Sequence, residues 1–148
     1  MITTCGIFLI NDKGQLLITH PTNSPWDLWS IPKGVKESLE SYLDAAIREA
    51  KEEIGINLKD FKFKESDYVQ LPSIQYLNGK KILYSYFIKV GSELNHVNFS
   101  CSSYVHGKDY PSFPEIDMIN WVDLITASKL LHPNQAGLLP RIIEYLVR

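Results

Sequence analysis

The sequence predicts a mixed α/β layered domain, and three observations carry that prediction. Short β-branched and apolar runs recur along the chain, each bounded by turn residues. One segment, 41–54, repeats its apolar residues at helical spacing. An Asn-Gly pair at 78–79 separates two further strand-like runs. Strands interspersed with a few helices bury their apolar faces in stacked layers. With 148 residues the chain fits one domain with one core, 1–148.

The elements follow in order. Residues Thr3 to Ile10 read as a strand, Asn11-Asp12-Lys13-Gly14 as a turn, and Gln15 to Thr19 as a second strand, so the chain begins with a hairpin. His20 to Asp27 holds two prolines and reads as a loop, followed by a short extended piece from Trp29 to Lys33 that ends at Gly34. The helix at 41–54 carries Leu43, Ala46, Ile47, Ala50 and Ile54 as one apolar stripe. Ser41 with Asp44 resembles a capping box, with Asp replacing the preferred Glu or Gln. Gly55 sits where a left-handed C-terminal cap is wanted. Strands are expected at 68–76 and 80–90, then a long irregular loop from Gly91 to Pro114. A short strand at Ile119–Val122, a short helix at Leu124–Leu131 and a last helix opened by Pro133 and running to Val147 complete the reading.

Composition bounds the function. Hydrophobic residues at 45% and charged residues at 22% are ordinary globular usage and argue against disorder. A net charge of -2 provides no global basic field, so a nucleic-acid duplex is not expected as a partner. A small anionic substrate needs local positive groups or a metal. The first residues, MITTCGIFLINDKG, lack a basic n-region and a cleavage site, and the apolar run is too short to span a bilayer. No membrane partner is expected, and the cytoplasm is the default compartment. Cys5 and Cys101 read as free thiols, buried or partly buried. His20 and His106 lie in loops and read as solvent-exposed, and no His/Cys spacing suggests zinc.

The chemistry concentrates on the helix. Glu49, Glu52 and Glu53 are spaced i, i+3, i+4 and share an arc of about 100°, off the apolar stripe. Clustered carboxylates repel one another, and Mg²⁺ or Mn²⁺ relieves that repulsion through hard oxygen ligands. Taken alone, the three residues also fit a solvated acidic face.

The wider segment settles that choice. GVKESLESYLDAAIREAKEEIGI, residues 34–56, resembles the signature of the Nudix (MutT-like) hydrolase family: Gly34, Glu40, Arg48, Glu49, Glu52, Glu53 and Gly55 all fall in place. Chance agreement at seven such positions is on the order of 10⁻⁸ per start point. The earlier aliphatic position holds Ala50, smaller than usual, and Ile56 fills the last one.

The resemblance implies an α/β/α sandwich with a mixed central sheet. It also implies a pyrophosphohydrolase that uses Mg²⁺ (or Mn²⁺) to cut a phosphoanhydride bond. By that likeness Glu49, Glu52 and Glu53 bind the metal, the Gly34 carbonyl completes the shell, Arg48 holds a catalytic glutamate, and Glu40 supports the loop–helix geometry. The base differs among such enzymes, being a box glutamate in some and a distant one in others. Glu115, within SFPEID, is the best distant candidate as base or metal ligand. The Trp29–Gly34 and Ser112–Trp121 segments resemble the polyphosphate-cleaving branch. In that branch Lys33 is a point charge beside the phosphates. Trp26, Tyr84 and Tyr86 are the aromatics available to stack a base, although strand aromatics are more often core.

The expected substrate is a small-molecule nucleoside polyphosphate, a triphosphate or a dinucleoside polyphosphate. An ADP-ribose or nucleotide-sugar pyrophosphatase is the alternative, supported by Pro72, sixteen residues past Ile56. A non-catalytic nucleotide-binding module is a third reading, disfavoured by the complete Arg48–Glu49–Glu52–Glu53 set. Many members dimerise, so a homodimer is among the arrangements the resemblance allows.

Overall fold

The structure is a computed structural model and describes residues 1–95 and 98–148. Two residues of the expected 91–114 loop, 96 and 97, lie outside the described residues. The elements are β1 (Ile2–Ile10), β2 (Leu16–Pro21), β3 (Lys33–Val35), α1 (Tyr42–Ile54), β4 (Val69–Gln70), β5 (Ile74–Tyr76), β6 (Lys81–Lys89), β7 (Tyr104–Val105), β8 (Phe113–Pro114), β9 (Ile116–Val122), α2 (Leu124–Leu130), α3 (Pro133–Ala136) and α4 (Leu139–Leu146).

β1 is the central strand. It runs parallel to β6 from Ile2↔Lys81 to Ile10↔Lys89 and meets β2 antiparallel at Ile10↔Leu16. Its first half pairs antiparallel with β3, where Gly6 faces Lys33. β9 lies antiparallel beside β2, and β4 and β5 both pair with β6. The sheet is therefore mixed, in the order β4-β6-β1-β2-β9.

Both faces of β1 are covered, which explains its unbroken apolar run. Ile7 and Leu9 pack with Ala46, Ile47, Ala50 and Ile54 of α1. Phe8 and Ile10 pack on the opposite face with Ala127, Leu139 and Ile142 of α2 and α4. Helices thus flank the sheet on both sides, as the α/β/α expectation requires. Among the described residues no helix is long and apolar enough to cross a membrane.

Local chemistry explains the turns. The Asn11 side-chain oxygen accepts from the amides of Lys13 and Gln15, and Gly14 takes φ 73°. Leu77, Asn78 and Gly79 all have positive φ, so the second hairpin turns over four residues between Tyr76 and Lys81. Cys5 is buried and Cys101 half-buried, both free, and burial pushes the Cys5 thiol up to about 11.

Three expectations need correction. The strand expected at 68–76 is two short strands, because Pro72 between them has no amide to donate. The last helix is not continuous from Pro133. It breaks at Gly137-Leu138 and restarts, because Pro140 cannot sit in a helix interior and is tolerated in the first turn of α4. His20 is not solvent-exposed. It belongs to β2, is 2% exposed, and its Nδ1 lies 2.7 Å from Asp117 Oδ1 on the adjacent β9.

Candidate active site

The site begins with the caps of α1. Ser41 Oγ accepts from the Asp44 amide at 3.0 Å, which fixes where the helix starts. At the other end Gly55 takes φ 80° and its amide bonds the Lys51 carbonyl. Between these points the acidic residues divide. Glu49 and Glu53 are buried at 6% and 5% exposure, while Glu52 is half-buried. The carboxylates leave the apolar stripe as the periodicity indicates, but two of them enter the seam between α1 and β3 and not solvent.

β3 is shaped to receive them. A Cβ on Gly34 would overlap the Glu49 carboxyl group, so a larger residue there would push that side chain aside. The Lys33 amide donates to Glu53 Oε1 at 3.0 Å. Arg48 ties the rest together. Its Nε and Nη2 donate to the two Glu40 oxygens at 3.1 and 2.8 Å, a bidentate pair. Nη2 also donates to the Val35 carbonyl, and Nη1 to Glu49 Oε1 at 2.9 Å and Glu52 Oε2 at 3.1 Å. Glu40 in turn accepts from the Glu37 amide at 2.7 Å, closing the loop onto the helix.

The electrostatics follow from these partners. The Arg48 guanidinium holds the Glu40 carboxyl below the usual carboxylate range. Burial pushes Glu49 up to about 7 despite the Arg48 charge beside it. Burial raises Glu53 well above its ordinary value, opposed by the Lys33 amide and ammonium. The protein's own cations leave these two buried acids under-compensated.

A cavity of about 540 Å³ opens beside them, with Lys33, Glu53 and Glu115 in its lining. Its walls include Trp29, Ile74, Leu83 and Phe113. Glu115 arrives from the β8–β9 junction, far from α1 in sequence, and adds to the charge felt by Glu49 and Glu53. The Lys33 ammonium lies 5.7 Å from the centre of the Tyr76 ring, also in the lining.

The aromatic expectations do not match this placement. Tyr84 and Tyr86 point from β6 toward the α1 side of the sheet, where Tyr84 stacks on Tyr42 at 4.1 Å and Tyr86 joins the core. Neither lines the cavity, because Leu83 is the neighbour that faces it. Trp26 is 64% exposed and stacks on His20 at 4.3 Å, outside the lining, and Trp29 takes the wall position. Sequence reading missed Gln135, a buried side chain whose Oε1 accepts from the Ile31 amide and whose Nε2 donates to Ser30 Oγ. It also missed Thr22 and Lys81 in the lining. No periodicity marks these residues; only the chain's return to the sheet does.

Among the described residues no group of three His, Cys, Asp or Glu side chains is placed, as the side chains stand, to hold a metal ion. Arg48 engages one oxygen each of Glu49 and Glu52. The donor set still suits a hard divalent cation, because it offers carboxylates only, two of them buried and short of positive charge. Glu49, Glu52, Glu53 and Glu115 are the residues that could hold one.

Comparisons with known proteins show the family and the fold. Residues 2–142 match the NUDIX domain family. The RNA pyrophosphohydrolase of Cereibacter sphaeroides is 30% identical over 121 residues, covering 70% of this chain and 75% of that protein. The yeast (Saccharomyces cerevisiae) mRNA-decapping enzyme subunit 2 is 30% identical over 128 residues, 86% of this chain, although the match spans only 11% of the yeast protein's length. Among solved structures, a C. elegans Ap4A hydrolase binary complex superposes with a TM-score of 0.74 at 22% identity, covering 99% of this chain and 98% of that one. The NUDIX domain of Shewanella oneidensis NrtR, complexed with ADP ribose, superposes at 0.70 with 15% identity, covering 99% and 88%. With its loop–helix signature intact, its sheet flanked as expected and nearly its whole length matched, this chain belongs to the Nudix family.

Proposed function

We propose that the protein is a divalent-metal-dependent pyrophosphohydrolase of nucleoside polyphosphates, either triphosphates or dinucleoside polyphosphates. One observation carries this reading: Glu53 and Glu115, from opposite parts of the chain, line a single apolar cavity beside Lys33, with Glu49 in the seam behind. The apolar walls suit a nucleobase, and the acidic end with one lysine suits a metal–phosphate group. The relatives support the same class, since one is named for RNA pyrophosphohydrolysis and one for Ap4A hydrolysis.

Glu49, Glu52 and Glu53 would hold Mg²⁺ or Mn²⁺, joined by the Gly34 carbonyl. When bound, the ion supplies charge neutralisation for the phosphate oxygens and a lowered water pKa. Lys33 supplies a further positive charge at the phosphates. Arg48 fixes the Glu49 carboxylate by its 2.9 Å bond and leaves the second oxygen for the ion. Glu115 takes the proton of the attacking water, because it reaches the cavity from outside α1.

Pro72 was the residue favouring ADP-ribose. It lies between β4 and β5, outside the cavity lining, so it gives the alternative no direct contact with the site. The test is phosphate release across triphosphates, dinucleoside polyphosphates, ADP-ribose and nucleotide sugars. Each is assayed with Mg²⁺ or Mn²⁺, with and without a coupling pyrophosphatase or phosphatase. Preference for a triphosphate or dinucleoside polyphosphate is expected. Preference for ADP-ribose would reject the substrate class, and binding without turnover of any member would favour a nucleotide-binding module.

A further inference from the structure

Glu115 is the single residue between the two-residue β8 and the seven-residue β9, and it is a register partner in neither ladder. Two distant parts of the chain converge on its backbone instead. On one side the Thr22 amide donates to the Glu115 carbonyl at 2.9 Å, and Thr22 Oγ1 donates to the preceding Pro114 carbonyl. On the other side the Glu115 amide donates to the Ser103 carbonyl at 2.8 Å. Ser102, the next residue back, is pinned to the end of α1. Its amide donates to the Glu52 carbonyl at 2.7 Å, its Oγ donates to the same carbonyl at 3.3 Å, and the Ser100 amide donates to the Ile54 carbonyl.

These are carbonyls that a helix leaves without intrahelical partners in its last turn. The loop therefore caps the helix that carries Glu49, Glu52 and Glu53, and the same loop carries Glu115. Gly55 permits the approach, since a Cβ there would come 2.9 Å from the Ser100 carbonyl oxygen.

We propose that Thr22 and Ser102 are positioning residues that clamp Glu115 at a fixed distance from the α1 carboxylates. The inference rests on the reading of Glu115 given under Proposed function. Thr22 lines the cavity and Ser102 does not, and neither brings a charge to the substrate, so their loss acts on turnover more than on binding. A displacement of about 1 Å at a reacting group costs up to roughly 100-fold in rate, so a loosened clamp is measurable.

The test uses the full chain with Thr22→Val, which keeps the volume and removes the hydroxyl donor, and Ser102→Pro, which removes both Ser102 donors. Ser102→Ala, which keeps the amide, serves where the proline variant does not fold. Kinetics are measured in the wild-type and Glu115→Gln backgrounds, and hydrogen exchange is followed at the Glu115 amide. The expected result is about a 10-fold lower kcat with KM within about 2-fold, absent in the Glu115→Gln background, and recovered by Thr22→Ser. Exchange at the Glu115 amide is expected to accelerate about 10-fold in the variant that carries both Thr22→Val and the Ser102 substitution. An equal loss of kcat in both backgrounds overturns the proposal, as does unchanged exchange. Wild-type kcat in Glu115→Gln with accelerated exchange rejects the reading of Glu115, and with it the catalytic consequence of the clamp. A chain that hydrolyses no substrate leaves the exchange result to decide the clamp alone.

Discussion

Arg48 shows how one side chain organises the site. Its guanidinium makes five hydrogen bonds, to Glu40, Glu49, Glu52 and the Val35 carbonyl. Removing it leaves the buried Glu49 without its ion pair. Arg48→Ala is expected to lower unfolding free energy by about 3 kcal/mol at pH 8 in urea titrations, and Arg48→Lys to recover little, because an ammonium cannot make the planar fork. Glu53 gives the opposite result. Glu53→Gln keeps an acceptor for the Lys33 amide and removes an under-compensated buried acid. Its metal-free melting temperature at pH 8 is expected to match or exceed wild type, while turnover falls about 100-fold or more. Normal turnover with an unchanged melting temperature would defeat the assignment of Glu53 to the metal site.

At the scale of the element, α1 is fixed by its ends. Ser41→Ala removes the Oγ that accepts from the Asp44 amide and is expected to cost about 1 kcal/mol in chemical denaturation. Gly55→Ala combines two costs. The residue has φ 80°, which alone costs an L-residue about 1–2 kcal/mol, and the new methyl meets Ser100. The variant is expected to lose more stability than Ser41→Ala and also to lose activity, since Ser100 belongs to the loop that leads to Glu115. Stability loss with full specific activity would show that the two ends of this contact are independent.

For the whole molecule, the buried acids link stability to pH. Glu49 and Glu53 ionise near 4.5 when unfolded, whereas folding raises Glu49 to about 7 and Glu53 well above 4.5. The folded state then binds more protons in that window, so metal-free stability is greatest below pH 4.5 as far as these groups decide it, and falls as pH rises toward 7. For Glu49 the change amounts to roughly 3 kcal/mol. The metal-free melting temperature is expected to fall between pH 5 and pH 8, and Mg²⁺ to restore it with release of protons on binding. A metal-free melting temperature that rises over the same window would contradict the burial of these carboxyls.

Several features were legible in the sequence because they act over a few residues. The cap at Ser41, the left-handed Gly55, the turns at 11–14 and 78–79 and the loop–helix signature depend on local dihedrals and spacing. Periodicity also separated the carboxylates of α1 from its apolar stripe. It did not tell how deep Glu49 and Glu53 lie, because depth depends on β3 crossing above them. It placed His20 in a solvent-exposed loop, because Asp117 comes beside it only when β9 pairs with β2. It offered Tyr84 and Tyr86 to a cleft, because alternation says which residues share a face but not which face meets the cavity. The sequence by itself therefore determined the family, the helix and its acidic set, since these are encoded by neighbours along the chain. Only the tertiary structure decided which residues line the cavity and what holds Glu115, since strand order and loop docking bring together groups that no local pattern connects.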